Sequence, residues 1–201
     1  ESFIYTINQD DKGFFFFFFV NALFRYNCFE FTIYTSQNSL SVNFITQSLK
    51  DSRGNLWFGH MNGNISLYKG TGFKRIKPST SQNTITDIEE KENQNIWFST
   101  QTEGFFRIDS NLNIHHISSP FDQEYISSFI TIDQDQLLIG TDQGLYYGEY
   151  NPAQDKIEKT EIHPGIPESR VNQIFRHDSS NKVFVISEGR GIFALSINNT
   201  P

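Results

Sequence analysis

The stretch Asp51-Ser-Arg-Gly-Asn-Leu-Trp-Phe-Gly59 begins with turn-forming residues and continues as a run of apolar ones. Asp and Ser side chains bond to nearby backbone groups and Gly adopts positive φ, so the first four residues favour a tight turn. Residues 56–59 then have the length and composition of a buried strand. Asn62-Gly63 is a frequent hairpin dipeptide, and it precedes another apolar run at residues 65–68. The stretch therefore predicts two strands joined as an antiparallel hairpin.

The residues around this hairpin complete a unit of four strands. Residues 45–49 alternate partly between apolar and polar side chains, which predicts a half-buried strand before the turn at Asp51. Gly70 and Gly72 turn the chain again, and residues 73–76 have the composition of a fourth strand. Gly and Asn recur too often for a helix. Four antiparallel strands in about 40 residues are typical of one blade of a β-propeller.

The unit recurs along the chain. Trp57 and Trp97, the two tryptophans, lie at the same strand position in consecutive copies, and five copies begin near residues 3, 44, 85, 125 and 171. We therefore predict an all-β fold, namely a single β-propeller fragment over residues 1–201 with four-stranded antiparallel blades. The predicted blades cover approximately residues 3–41, 42–82, 83–121, 122–167 and 168–201. The fifth copy ends after its third strand, so we expect this chain to be part of a larger ring.

Two stretches depart from the repeat. Residues 14–19 are six consecutive Phe where other copies place a small residue at Gly59, Ser99 or Gly140, and close-packed blades leave little room for such bulk. We assign no function to residues 14–28. In the fourth copy, residues 151–161 are predicted to be a charged outer excursion. Residues 163–167 are predicted to be a loop because their two prolines cannot donate hydrogen bonds to a strand neighbour.

Composition excludes several classes of protein. Lys and Arg number 16 against 23 Asp and Glu, which gives a net charge of −7 and no basic patch for nucleic acid. The single cysteine, Cys28, excludes a disulfide within the chain and a cysteine-based zinc cluster. No apolar stretch has the length of a transmembrane helix, so we expect no direct membrane insertion.

Several side chains suggest chemistry, and each also has a structural explanation. Acidic residues near the first strands lack the alternating Asp-x-Asp-x-Asp of a calcium loop, so we predict that they cap turns: Asp10, Asp51, Asp87, Asp133 and Asp178. His115 and His116 would face opposite sides of a strand and could not share an ion from it. Residues 89–92 are predicted to be a charged hairpin tip and not a catalytic carboxylate pair. We predict no catalytic residue, no cofactor and no metal.

The tryptophans and the turn residues bear on ligand binding. Trp57 and Trp97 could stack on sugar rings, but their equivalent positions favour packing between blades. Ligand surfaces are expected on loops that a rigid scaffold presents. The candidates follow the second strand and precede the third in their copies: His60, Asn62, Gln101, Glu103, Asp142 and Glu188.

The repeat resembles the "two-component regulator propeller" repeat. The residues that carry the resemblance are Ile45, Leu49, Asp51, Gly54, Asn55, Leu56, Trp57, Gly59, Gly63, Tyr68 and Phe73. The next copy is degenerate, because its Asp is replaced by Lys91 or Glu92 and its turn Gly by Asn93 or Gln94.

The resemblance implies a function that periodicity alone does not. Members of that family form seven-bladed propellers in the envelope of Bacteroidetes-type bacteria, most of them as sensors of hybrid two-component systems. The resemblance thus implies a non-enzymatic, periplasmic or cell-surface module that binds a glycan-like ligand or another envelope cue. Any kinase activity would lie elsewhere in its polypeptide. Two alternatives are a scaffold in a type IX secretion or cell-surface complex, with envelope proteins as partners, and a glycan-active propeller enzyme.

Overall fold

The computed structural model describes residues 4, 6–19, 22–37, 40–41, 44–77, 83–91, 94–177 and 181–197. These residues form strands and turns, and within them no helix is long and apolar enough to cross a membrane. The strands, numbered in chain order, are β1 (Thr6–Gln9), β2 (Phe15–Phe19), β3 (Ala22–Tyr26), β4 (Phe31–Tyr34), β5 (Ile45–Lys50), β6 (Leu56–His60), β7 (Ile65–Tyr68), β8 (Phe73–Ile76), β9 (Ile85–Glu90), β10 (Ile96–Thr100), β11 (Phe105–Ile108), β12 (Ile114–Ile117), β13 (Ile126–Thr131), β14 (Gln136–Thr141), β15 (Leu145–Asn151), β16 (Lys156–Ile162), β17 (Val171–His177), β18 (Lys182–Ser187) and β19 (Gly191–Ser196).

The strands form five antiparallel sheets, and within each sheet a strand pairs with the next one along the chain. Four sheets contain four strands each, β1–β4, β5–β8, β9–β12 and β13–β16, and the described part of the fifth contains β17–β19. The all-β class is therefore confirmed, and β7 and β8 have the bounds that the sequence predicts. The turn residues fix these bounds, because Gly63 and Gly70 both adopt positive φ where the chain reverses.

The chain divides into two compact units. One contains residues 1–100 and 108–114, and the other contains residues 101–107 and 115–201. Within the first unit, β1 contacts β5 and β5 contacts β9, so the first strands of successive sheets pack side by side. Within the second unit, β13 contacts β17 in the same way. The prediction of one propeller domain over residues 1–201 stays a prediction.

The second strand of each complete repeat lies in the core, because it is apolar on both faces. All five residues of β6 and of β10 are buried, including Trp57 and Trp97. A Cβ atom on Gly59 would lie 2.7 Å from Cγ2 of Ile85 in the next sheet. A Cβ atom on Gly140 would lie 2.6 Å from Cγ1 of Val171. These glycines therefore allow the first strand of the following sheet to approach closely, as expected for the small-residue position.

The six phenylalanines are accommodated better than the sequence suggests. Residues 15–19 form β2, in which Phe16 and Phe18 are buried while Phe15 and Phe17 are partly exposed. Alternation along a strand places these rings on opposite faces, and Phe16 packs 5.0 Å from Tyr68, between ring centroids. The phenylalanine rings, for which close-packed blades were expected to leave little room, are thus divided between the two faces of the sheet.

Asp51 organises the first turn of its repeat and the tryptophan beyond it. Its Oδ1 accepts hydrogen bonds from the backbone amides of Arg53 and Asn55 at 3.0 and 2.8 Å, and its Oδ2 accepts from Trp57 Nε1 at 2.9 Å. Burial opposes ionisation, but the bonds from Trp57 and Asn55 outweigh it and lower the pKa of Asp51. Turn capping is therefore confirmed for Asp51, and this carboxylate also satisfies the buried indole.

Other predicted capping residues have mixed outcomes. Asp10 and Asp133 accept backbone bonds in their turns as predicted, from Phe14 at 2.9 Å and Gln136 at 2.9 Å respectively. Asp87 does not cap a turn, because it lies inside β9, where its Oδ1 accepts a hydrogen bond from Ile88 N at 2.9 Å. Asp178 lies outside the described residues. Turn capping therefore holds for the three Asp residues that lie one or two positions after the end of a first strand.

The degenerate turn of the third sheet uses Lys91 and Gln94. Lys91 N donates to Asn95 O at 3.0 Å and Gln94 N donates to Lys91 O at 2.8 Å, which is the bonding pattern of Asp51 and Gly54. Gln94 has a φ of 62°, so it occupies the left-handed conformation of the glycine that it replaces. Lys91 is buried, with Nζ 4.3 Å from the centroid of the Trp97 ring. In the third sheet, a cation–π contact between Lys91 and Trp97 thus replaces the hydrogen bond that Asp51 accepts from Trp57 in the second sheet.

One predicted surface segment is wrong. Glu89 and Glu90 belong to β9 and do not form a hairpin tip, and Glu90 accepts hydrogen bonds from Ser52 N at 2.6 Å and Ser52 Oγ at 2.8 Å. Residues 151–161, the predicted charged outer excursion, contain the end of β15 and most of β16, joined by a tight turn at residues 152–155. Residues 163–167 form the predicted loop.

Candidate functional site

The six predicted ligand residues occupy equivalent places in four sheets, next to the turn between the second and third strands. His60 does not follow the second strand as predicted, because it is the last residue of β6. Its side chain is buried, with Nε2 2.7 Å from Ser66 Oγ. Asn62 lies in the following turn, where its Oδ1 accepts from Asn64 N at 3.3 Å. Gln101 and Glu103 are partly exposed, while Asp142 and Glu188 are exposed. Ligand binding by these residues stays a prediction.

In the second unit, backbone bonds connect two of these turns to the beginnings of first strands, at the first residue of β13 and at the residue before β17. Ile126 N donates to Gln101 O at 3.2 Å, and Glu188 N donates to Arg170 O at 2.8 Å. Arg170 in turn reaches Tyr125, because its Nη2 donates to the Tyr125 hydroxyl at 2.8 Å. Gln101 and Glu188 are therefore brought to one edge, which we call the Tyr125–Arg170 edge.

The Tyr125–Arg170 pair is the centre of this edge. The guanidinium carbon of Arg170 lies 4.6 Å from the centroid of the Tyr125 ring, so a cation–π contact accompanies the hydrogen bond. Arg170 is exposed and Tyr125 is half-buried. The pair therefore holds the planar guanidinium group and the tyrosine ring in a fixed arrangement at the solvent-exposed surface.

Acidic residues lie in the segments next to this pair. A Cβ atom on Gly144 would lie 3.9 Å from the Cα of Glu168, which places the turn containing Asp142 beside the segment that leads to Arg170. Asp142, Glu168 and Glu188 are all exposed. The edge therefore combines a guanidinium donor with carboxylate acceptors on adjoining segments, groups that suit a neutral ligand with many hydroxyl groups.

Sequence reasoning missed Tyr125 and Arg170 as well as the hydroxyl groups that join the sheets. Thr46 Oγ1 donates to Ile85 O at 2.7 Å, and Ser127 Oγ donates to Val171 O at 2.5 Å. Both hydroxyl groups follow the first residue of a first strand, at a β-bulge. The recurrence of a hydroxyl residue at this place in the repeat is the signal that could have identified them.

A second electrostatic cluster fixes the outer strands of the second unit. Arg107 Nε and Nη2 donate to the carboxylate of Asp155 at 3.0 and 2.8 Å, and the Tyr150 hydroxyl donates to Asp155 Oδ1 at 2.8 Å. Burial is the main cause that raises the pKa of Tyr150 to about 12, and the hydrogen bond to Asp155 and the charge of Asp155 add to it. Burial opposes ionisation of Asp155, but the bonds from Arg107 and Tyr150 outweigh it and lower its pKa. The cluster is an ion pair that closes the turn at residues 152–155.

Metal ligation finds no support within the residues that the structure describes. They contain no group of three His, Cys, Asp or Glu side chains arranged for an ion. His116 instead packs on Phe106, with the ring centroids 5.0 Å apart, and its Nε2 lies 3.7 Å from Asp122 Oδ1. His115 also belongs to β12.

Comparisons with known proteins bear on this geometry. Residues 39–62 match the family model described as "Two component regulator propeller". The chain carries a two component regulator propeller repeat. No curated protein sequence matches the chain.

Solved structures share the β-propeller fold. The extracellular domain of a hybrid two component system from B. thetaiotaomicron aligns with a TM-score of 0.74 at 20% identity, covering 96% of this chain and 27% of that one. PorZ, a bacterial surface component of the type-IX secretion system of Porphyromonas gingivalis, aligns with a TM-score of 0.67 at 16% identity, covering 97% and 32%. Virginiamycin B lyase from Staphylococcus aureus aligns with a TM-score of 0.70 at 18% identity, covering 97% and 70%. These propellers are an extracellular domain of a two component system, a surface component and an enzyme, so the likeness establishes the fold alone.

Proposed function

We propose that this chain is a non-enzymatic ligand-binding propeller of an extracytoplasmic two-component-type sensor, located in the periplasm or at the cell surface. The ligand that we propose is a glycan fragment bound at the Tyr125–Arg170 edge. The observation that carries the proposal is the fixed pair of Arg170 and Tyr125 among exposed carboxylates. The fold of the sensor and surface propellers supports the location.

The chemistry of the edge suits a sugar. Aromatic rings pack against the C–H faces of sugar rings, while guanidinium and carboxylate groups bond to hydroxyl groups. Arg170 is anchored by its bond to Tyr125, so little side-chain freedom is lost when a ligand binds.

Binding without catalysis is favoured by where the perturbed groups lie. Asp51 closes a turn, and Tyr150 and Asp155 form the outer-strand cluster with Arg107. Catalytic groups usually have displaced pKa values and converge in a cleft, whereas these three groups serve packing and ion pairing. Tyr147 and His163 also have displaced pKa values, and their rings stack on each other. The enzyme alternative predicts cleavage of a glycan by the isolated chain.

A scaffold in a secretion or surface complex is the second candidate. The observation that favours it is the outer part of the first sheet, where Phe29 is 93% exposed, Phe31 58% and Ile33 50%. Exposed apolar groups of this kind mark protein interaction surfaces. The scaffold hypothesis predicts that charged substitutions in β4 abolish association with outer-membrane proteins and leave glycan binding unchanged.

The experiment is a binding screen of the purified chain against soluble oligosaccharides, followed by calorimetry on any that bind. Arg170→Ala and Tyr125→Ala should each weaken binding by about tenfold, because each removes a central contact. Arg53→Ala is the matched control, since Arg53 is also partly exposed but lies in the turn between β5 and β6. Retention of full affinity by both edge variants would refute the site, and release of new reducing ends would refute the non-enzymatic assignment.

A further inference from the structure

A cleft lies on the outer strands of the second unit. The cleft has a volume of about 360 Å³. It is lined by Gln136, Tyr147, Gly148, Glu149, Glu161 and Pro164. We call it the Tyr147 cleft. None of the six residues predicted to bind ligand lines it, and neither Tyr125 nor Arg170 does.

A β-bulge shapes this cleft. β15 and β16 pair at Tyr146 with Ile162 and next at Gly148 with Lys159, so one residue of β15 faces two residues of β16. The irregularity falls at Tyr147 and Glu161, which both line the cleft. Bulges of this kind redirect side chains and recur beside binding sites. Glu149 lies two residues beyond Tyr147 on the same strand, so both side chains leave the sheet on the same face.

The Tyr147 ring is held in place by its neighbour. The rings of Tyr147 and His163 stack with centroids 5.2 Å apart and an interplanar angle of 29°. His163 Nδ1 accepts a hydrogen bond from Gly165 N at 3.1 Å, which fixes the imidazole in the loop after β16. Tyr147 is therefore a preorganised surface and does not have to be ordered by a ligand.

The charge of the cleft comes from carboxylates. Burial lowers the pKa of His163, so this ring is neutral near pH 7. Burial, followed by the charge of Glu161, raises the pKa of Tyr147, so the phenol stays protonated. Glu149 and Glu161 then make the cleft negative, and both are largely exposed to an incoming ligand.

We propose that the Tyr147 cleft binds an organic ammonium group, with the cation placed between Glu149 and Glu161 and against the Tyr147 ring. Carboxylates form charge-assisted hydrogen bonds with an ammonium group, and an aromatic face attracts the same cation. Gln136 pairs with Glu149 across β14 and β15, so its amide adds a donor and an acceptor for a hydroxyl group. An amino sugar carries both groups and is the ligand class that this cleft fits.

The test compares ligands that differ in one charge. D-Glucosamine and N-acetyl-D-glucosamine share a sugar ring, but acetylation removes the ammonium charge. Calorimetry or NMR titration at low salt should show glucosamine binding that weakens as salt is added, with N-acetylglucosamine at least about tenfold weaker. Putrescine, an amine without a sugar ring, should also bind, and more weakly than glucosamine if Gln136 contributes.

The variants locate the binding. Glu161→Gln should weaken glucosamine binding at least about tenfold, and Tyr147→Leu should weaken it by a similar factor. Glu30→Gln, which removes one exposed carboxylate from the turn before β4 in the first unit, should leave it unchanged. An unchanged melting temperature for Glu161→Gln shows that the fold is intact, because this side chain is exposed.

Three outcomes would overturn the proposal. They are equal affinity for the two sugars, loss of binding in Glu30→Gln but not in Glu161→Gln, and failure of both amines to bind more tightly than about 10 mM. This proposal does not depend on glycan binding at the Tyr125–Arg170 edge, and the two sets of variants distinguish the failure of either site.

Discussion

Replacing Gly59 with alanine should destabilise the protein, because the added methyl group has no space. It would lie 2.7 Å from Ile85 Cγ2 and 3.0 Å from Ile88 Cδ1, whereas carbon atoms in contact prefer about 3.5–4.0 Å. Ile85 is fully buried in β9 and cannot move aside without shifting that strand. Overpacking of this kind costs about 1–3 kcal/mol.

The net effect is smaller than the steric cost. Gly59 does not have positive φ, so alanine also restricts the unfolded chain and returns about 0.4–1 kcal/mol. We therefore expect a loss of about 1–2 kcal/mol in the free energy of unfolding, which lowers the melting temperature by about 2–8 °C for a chain of this size.

The assay is thermal and urea unfolding followed by circular dichroism, with Gly72→Ala as the matched control. A Cβ atom on Gly72 would meet no atom within 4 Å, so this variant should be at least as stable as the parent. In an Ile85→Ala background, Gly59→Ala should be less destabilising, because the closest contact is gone while those with Ile88 Cδ1 at 3.0 Å and with the Cβ of residue 85 at 3.1 Å remain. Equal stability of Gly59→Ala and Gly72→Ala would refute the close approach of β9 to β6.

Three further predictions concern stability. Trp57→Ala and Trp97→Ala should each cost about 3–5 kcal/mol in unfolding experiments, since both indoles are buried, and a cost below about 1 kcal/mol would contradict their place in the core. Asp51→Ala should cost about 1–3 kcal/mol by leaving the buried Trp57 N–H without its acceptor, and Trp57→Phe should reduce this penalty in a double-mutant cycle. Asp155→Asn should destabilise by about 1 kcal/mol at pH 7. Because the pKa of Asp155 is lowered on folding, its contribution is present above the unfolded value of about 3.8 and is lost as the pH falls through the lower folded pKa, so the difference in free energy of unfolding between parent and variant should shrink as the pH is lowered below 3.8.

The strands follow from local sequence, and the contacts between sheets do not. Gly63 and Gly70 mark reversals that any reader of the sequence can place, so the bounds of β7 and β8 are predictable. The turn at Lys91 and Gln94 is not, because four residues could fill two positions and the backbone bonds alone decide between them. Nothing in the neighbouring sequence indicates that Gln94 adopts positive φ, because glutamine rarely does so.

The candidate site was predictable only in part. Gln101 and Glu188 were identified from their place in the repeat, and they reach one edge. Tyr125 and Arg170 were not, because they are about 45 residues apart and meet only when neighbouring sheets pack. The Tyr147 cleft was missed because residues 151–161 were predicted only as a charged outer excursion, without the strand pairing that brings Glu161 beside Tyr147.

The contrast between Asp51 and Lys91 has a consequence for how the chain folds. Adjacent units with interchangeable hairpins could exchange partners and trap the chain in a misassembled state, a characteristic failure of repeat proteins. The tryptophan of the second sheet is held by an anion and that of the third by a cation. Each charged residue lies six residues before its tryptophan within the same hairpin, so both contacts can form before neighbouring sheets pack, and a hairpin that exchanges its place keeps its own contact.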